Sequence, residues 1–306
     1  MTSLQAASPS GVPGTAAAPP LPAPFVNQSL SRGLACRAVA VLASQGDKYR
    51  AGLAPIFRRR FRTKKAVNQS VSRLEKLGER CRLIQVIGRT PNGRQVSVCQ
   101  FVPIRLASEH RSEDGSIGFE LNQVIVSVRG VTPGADSGVQ LAACDHAIER
   151  LFQRLRTLDL GAVSDELHDA MLLAVPAAIA GRTLGLRQLA LPTSSGAFLC
   201  DLRADSGQVV AKTWLSECVL GARWSPVVAR VRDAIRDAGG ADALAGFLAM
   251  GMDGPLTGQP HPLLDGMRHA LAPFGWLKDE YVARPDPVGE HWAGAREAAN
   301  SAVAAA

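Results

Sequence analysis

The spacing of apolar positions changes period four times along this chain. Between Leu30 and about Gln45 the pattern is short-helical, and Val67, Val71, Leu74 and Leu77 continue at helical spacing up to Gly78. Strand text follows at Leu83–Ile87. Asn92-Gly93 then reads as a hairpin turn, because both residues tolerate positive φ, with Gln95–Pro103 as the return strand. A polar loop at 107–117 leads to a third strand, Phe119–Val128, and residues 129–139 read as a linker or long turn. Helical spacing returns at Asp145, where Ile148, Leu151, Phe152 and Leu155 share one face. Leu160, Val163, Leu167, Met171 and Ala174 mark a second amphipathic helix. Arg187–Pro192, Ala197–Leu202 and Gln208–Leu215 read as three strands, and short helices follow at 226–237, 240–250 and 262–272.

This order predicts an α+β fold. It has a basic helix with antiparallel strands first, then helix, helix and an antiparallel meander with both helices on one sheet face, then a helical C-terminal region. The expected organisation is an Ala/Pro/Ser-rich leader at 1–29, a basic α+β module at 30–135, the helix-helix-meander segment at 140–220, short helices at 221–281 and a poorly ordered tail at 282–306. The leader is mostly Ala, Pro, Ser and Gly, a composition that cannot bury enough surface to fold. It is either a disordered tail or an uncharged leader of the kind that injected bacterial effectors carry, and composition does not separate the two.

Charge sharpens the picture. The net charge is +7, but Lys48–Arg105 holds fifteen Lys/Arg against two acids, so the rest of the chain is mildly acidic. Arg58, Arg59, Arg60, Arg62, Lys64 and Lys65 cluster around Phe57 and Phe61. Such a segment can follow a phosphate backbone with salt-sensitive, sequence-independent affinity, or can be a solvated face whose Arg stems cover apolar surface. The six cysteines show no ligand spacing and read as buried thiols in a reducing compartment. There is no continuous apolar signal-peptide core, and Pro176 is expected to break the longest apolar run, Leu172–Gly181. A soluble cytoplasmic protein without membrane insertion is therefore expected, with injection into a host cell as the alternative. Neither metal-ligand spacing nor a phosphate-loop, dinucleotide, zinc-protease or hydrolase-elbow motif occurs, so no metal or cofactor is expected.

The segment Asp145-His-Ala-Ile-Glu-Arg-Leu-Phe-Gln-Arg154 carries the candidate chemistry. As a helix it stacks His146, Arg150 and Arg154 at i, i+4 and i+8, opposite its apolar face. Metal-independent RNA cleavage needs a proton taken from the 2′-hydroxyl, a proton given to the leaving oxygen, and neutralisation of the phosphoryl charge. Histidine titrates near neutrality and arginine clamps phosphate bidentately. Asp145 can serve as the helix N-cap. Lys212 and Thr213, on the last strand, add a cation and a hydroxyl; strict alternation sends Lys212 to the face of Val210 and Trp214, and Thr213 to the other. The bland alternative is an ordinary amphipathic helix with a surface histidine. His168, between Leu167 and Asp169 on the second helix, reads as structural. Ser164-Asp165-Glu166 reads as a helix first turn that complements the dipole.

A His-Ala-x-x-Arg-x-x-x-Arg helix, a second helix, and a meander ending in Lys212-Thr213 resembles the barnase–EndoU–colicin–RelE group of metal-independent RNase toxins. The resemblance spans about 141–216, roughly a quarter of the chain. It implies a catalytic role for His146, phosphate binding by Arg150 and Arg154, and support from Lys212 or Thr213. The expected function is RNA binding with metal-independent endoribonuclease chemistry, the basic 58–65 segment gathering the RNA. The alternatives are a non-catalytic nucleic-acid-binding or regulatory protein, and an injected effector or interaction protein.

Overall fold

The computed structural model of the chain describes residues 25–57, 63, 65–66, 68–70, 72, 84–89, 95–105, 117–127, 130–133, 139–203, 207–250 and 260–279. Its helices are α1 (Gln28–Phe57), α2 (Asp145–Leu155), α3 (Leu160–Leu184), α4 (Gly221–Asp237), α5 (Gly240–Met250) and α6 (Pro262–Leu271). Its strands are β1 (Ile84–Arg89), β2 (Gln95–Arg105), β3 (Ile117–Ser127), β4 (Gly130–Pro133), β5 (Val139–Ala143), β6 (Gln188–Pro192), β7 (Gly196–Leu202) and β8 (Val209–Ser216). The fold is α+β. One sheet runs in the order β1-β2-β3-β5-β8-β7-β6, with β4 paired to β3. The β5–β8 pair is parallel, whereas the others are antiparallel.

That parallel pair joins the two halves of the chain. The expected linker at 129–139 holds β4, β5 begins at its last residue, and backbone hydrogen bonds cross from β3 through β5 into the β6–β8 meander. A boundary near 135–140 is therefore bridged by the sheet. Parallel neighbours need a long crossover, and here α2, α3, β6 and β7 supply it between β5 and β8. The antiparallel meander itself follows the sequence expectation.

Two helices outrun their sequence signals. The pattern at 30–45 is one part of α1, which continues past Gly46, Gly52 and Pro55 to Phe57. Each glycine costs a helix about 1 kcal/mol. Packing offsets that: Ala35, Ala38 and Leu42 are buried, and α1 lies against α2 and β2. Pro176, expected to break its run, sits inside α3. It forfeits one backbone hydrogen bond, and the buried residues on both sides, Leu172–Val175 and Ala177–Ala178, hold the helix in one piece.

Local chemistry sets the α2–α3 corner. α2 ends on Arg156 in the left-handed region (φ 50°), with its N–H bonded to Phe152 O. Asp159 then starts α3 by accepting the Gly161 N–H at 2.8 Å, and Gly185 (φ 67°) ends it. The apolar face read from sequence is the buried one: Ile148, Leu151 and Phe152 are at most 2% exposed. Each such side chain contributes about 1.5–3 kcal/mol by leaving water. Trp214, Phe119 and Phe198 complete the centre of the core, all fully buried.

The cysteines divide. Cys144 and Cys200 are buried thiols, whereas Cys36 and Cys218 are exposed, which corrects the expectation that all are inside. α1 carries Cys36 on its outer side, and Cys218 lies in the short turn after β8. The side chains of Cys81 and Cys99 fall outside the described residues. Among the described residues no helix is long and apolar enough to cross a membrane.

Candidate functional site

α2 presents the expected row. His146 is exposed and Arg150 and Arg154 are half-buried, on the side opposite Ile148, Leu151 and Phe152. The helix starts one residue earlier than the sequence suggests. Cys144 is the N-cap and caps with no side-chain bond, so Asp145 is the first helical residue and not the cap. Cys144 is tied instead to β8, its Sγ donating to Lys212 O at 3.2 Å and its N–H to Ala211 O at 3.2 Å.

The three side chains of the row are not independent. Arg150 Nε donates to His146 Nε2 at 3.3 Å, and Arg150 Nη1 donates to Gln153 Oε1 at 2.6 Å. A ring nitrogen that accepts carries no proton, so this geometry selects the imidazole whose Nε2 is a base. Arg154 Nη1 donates to the main-chain oxygen of Trp214 and so pins α2 to β8. Burial, and then the positive charge of Arg150, hold the Arg154 guanidinium below its ordinary pKa. Two guanidiniums thus sit side by side on a partly dry face and repel each other, with Cys218 acting the opposite way on Arg154.

Lys212 and Thr213 do not join this row. The β7–β8 ladder slips between Leu199↔Thr213 and Cys200↔Ala211, leaving Lys212 as an extra residue in a β-bulge. Bulging breaks the strict alternation expected of this strand. Trp214 faces α3, through Thr193, while Lys212 pairs with Asp201 at 3.6 Å on the other side of the sheet. Lys212 and Thr213 there line a small cavity with Gln188, Leu199 and Trp224. Of the basic segment, Lys65 is exposed and helical, just after Thr63, whose Oγ1 accepts the Ala66 N–H at 3.2 Å. Arg58, Arg59, Arg60, Arg62 and Lys64 lie outside the described residues.

A polar cluster that the sequence reading missed lies near the N-terminal end of α3. Glu166 is 3% exposed, so it is no solvated first-turn acid. Its carboxylate accepts from Thr193 Oγ1 and from Ser194 Oγ, the latter at 2.7 Å. Thr193 Oγ1 in turn accepts the indole N–H of Trp214 at 3.3 Å. Asp169 accepts the Ser194 N–H at 3.0 Å, and Arg232 Nη2 on α4 donates to Thr193 O at 2.9 Å and Gly196 O at 3.2 Å. Together these fix the β6–β7 turn between α3 and α4. One signal was available: Glu166 falls three residues after Val163 and four before Ala170, on the buried stripe of α3. A carboxylate there must meet donors.

Other histidines have structural settings. His168 is half-buried beside Asp165, and burial depresses its pKa against the opposing pull of that acid. His261 caps α6 by accepting the Leu263 N–H at 3.2 Å. Among the described residues no cluster of His, Cys, Asp and Glu could hold a metal ion. No protein family, curated protein or solved structure matches the chain.

Proposed function

We propose that the chain binds RNA along the cationic face of α2 and that His146 confers metal-independent phosphodiester cleavage on the complex. The observation that carries the proposal is the juxtaposition of Arg150 and Arg154 beside an exposed histidine. A phosphate seated between the two guanidiniums relieves their repulsion and gains charge-assisted hydrogen bonds. Arg150 is held by Gln153, which steadies its fork before any phosphate arrives. His146 Nε2, as the unprotonated nitrogen, is the atom to accept the 2′-hydroxyl proton once a phosphate draws Arg150 away; the 2′-oxygen then bonds to phosphorus as the bond to the 5′-oxygen breaks, and solvent water protonates that leaving oxygen. Lys212 and Thr213 take no part in this reading, because they face Asp201 and not the row. The toxin-RNase resemblance adds the helix, helix and three-strand order to the argument.

Incubation with total RNA in excess EDTA, wild type against His146→Ala, tests it. Cleavage that disappears in the variant is expected; equal cleavage by both overturns the role of His146. A second reading, RNA binding without cleavage, is favoured by the Arg150–His146 bond, which already occupies the base lone pair. In that case neither protein cleaves. Single-strand binding then weakens with salt, and its log–log slope falls by about 0.7 for each of Arg150→Gln and Arg154→Gln.

A further inference from the structure

Between α3, the β6–β7 turn, α4 and α5 the structure holds a cleft of about 500 Å³. This is within the usual range for small-molecule sites, about 300–1,000 Å³. Leu172, Leu173, Pro192, Ile235, Leu244 and Leu248 form its walls. Four polar side chains reach it besides Thr193: Asp169, Ser194, Arg232 and Arg236.

The charges at this polar end do not cancel. Arg232 is committed to Glu217 and to the carbonyl oxygens of Thr193 and Gly196. Arg236 is committed to Asp233 at 2.8 Å and Asp237 at 3.2 Å. Asp169 meets Ser194, through its N–H at 3.0 Å and its hydroxyl, and among the described residues no cation pairs with it. Glu166, directly behind, is satisfied by two hydroxyls and not by a positive charge. The walls are therefore apolar, and because both lining arginines are paired with acids outside the lining, the Asp169 carboxylate is the lining charge left without an opposite charge beside it among the described residues. A carboxylate ligand would meet Asp169 and two arginines already spent, whereas an ammonium would meet an unneutralised carboxylate with a hydroxyl beside it.

We propose that this cleft binds a small amphiphilic amine, its hydrocarbon body among Leu172, Leu173, Leu244 and Leu248 and its ammonium group on Asp169. Burial and the neighbouring acids Glu166 and Asp165 push the Asp169 carboxyl up, with the Ser194 N–H pulling the other way. An adjacent ammonium reverses that push by favouring the ionised form. The site is independent of the α2 row and of RNA binding.

Calorimetric titration of the full chain with n-octylamine, octanoate and octan-1-ol, each below its aggregation threshold, tests the proposal. The expected result is saturable one-site binding of the amine, with octanoate at least tenfold weaker. Asp169→Asn, which keeps the size of the side chain and an acceptor for Ser194, is expected to weaken the amine at least tenfold and leave the alcohol within twofold. Ala241→Trp, placed at an exposed wall residue, fills the cleft and abolishes both. Octanoate binding as tightly as the amine overturns the proposal, as does amine binding that Asp169→Asn leaves unchanged, or no saturable binding by the wild type. The wild-type comparison among the three ligands requires no variant to fold.

Discussion

Gly196, the first residue of β7, offers a test of the packing in which even the sign is diagnostic. In an open strand position, Gly→Ala stabilises a protein by about 0.4–1 kcal/mol, because the unfolded chain loses freedom. At position 196 an added Cβ lands on the main-chain oxygen of Leu215 and lies 2.6 Å from Cζ2 and 2.9 Å from Cε2 of Trp214. Ordinary carbon–carbon contact is about 3.5–4.0 Å, so the ring must retreat by about 1 Å. It has nowhere to go, since Trp214 is fully buried and its N–H is held by Thr193. Overpacking of this kind costs about 1–3 kcal/mol, and losing the indole hydrogen bond adds about 1. After subtracting the entropic gain, Gly196→Ala is expected to destabilise by about 1–3.5 kcal/mol. Urea unfolding followed by tryptophan fluorescence and far-UV circular dichroism measures this. Gly33→Ala on α1, where nothing lies within 4 Å of the added Cβ, is the control and is expected to shift the midpoint upward. A Gly196→Ala midpoint equal to or above wild type would refute the close approach of β8 to β7 at this point.

Three further outcomes follow from the same structure. Glu166→Ala removes the acceptor of two hydroxyls and is expected to cost about 2–4 kcal/mol, whereas Glu166→Gln, which keeps the volume and one acceptor, costs about 1; equal losses would show that the cluster is held by packing alone. His168 has a depressed pKa in the fold, so the unfolded chain binds its proton first and stability falls as pH drops through the unfolded value of about 6.5. His168→Gln should therefore flatten the melting temperature between about pH 7 and 5, and an unchanged slope would assign the dependence elsewhere. Alkylation of the native protein followed by peptide mapping should label Cys36 and Cys218 and spare Cys144 and Cys200. Burial pushes the Cys200 thiol well up, so its labelling at neutral pH would mean that the sheet opens.

The sequence by itself determined whatever a local period can carry. The two faces of α2, the strands of the meander, and the helices at 226–237, 240–250 and 262–272 are close to where their spacing put them. A helical or strand repeat is set by neighbours within four residues, and so is legible along the chain. The cationic row of His146, Arg150 and Arg154 is legible for the same reason. Tertiary structure decided the rest. β5 has little to distinguish it from a turn until β8 lies beside it, and its parallel pairing spans the whole crossover. The bulge at Lys212 exists only in the register between β7 and β8, and it alone turns that lysine toward Asp201 and away from the α2 row. Glu166, Thr193 and Trp214 are separated by 27 and 21 residues, and only the packing of α3 on the meander brings their polar atoms within reach. Such meetings depend on which surfaces bury each other, and the chain encodes that through the sum of its packing and not at any one position.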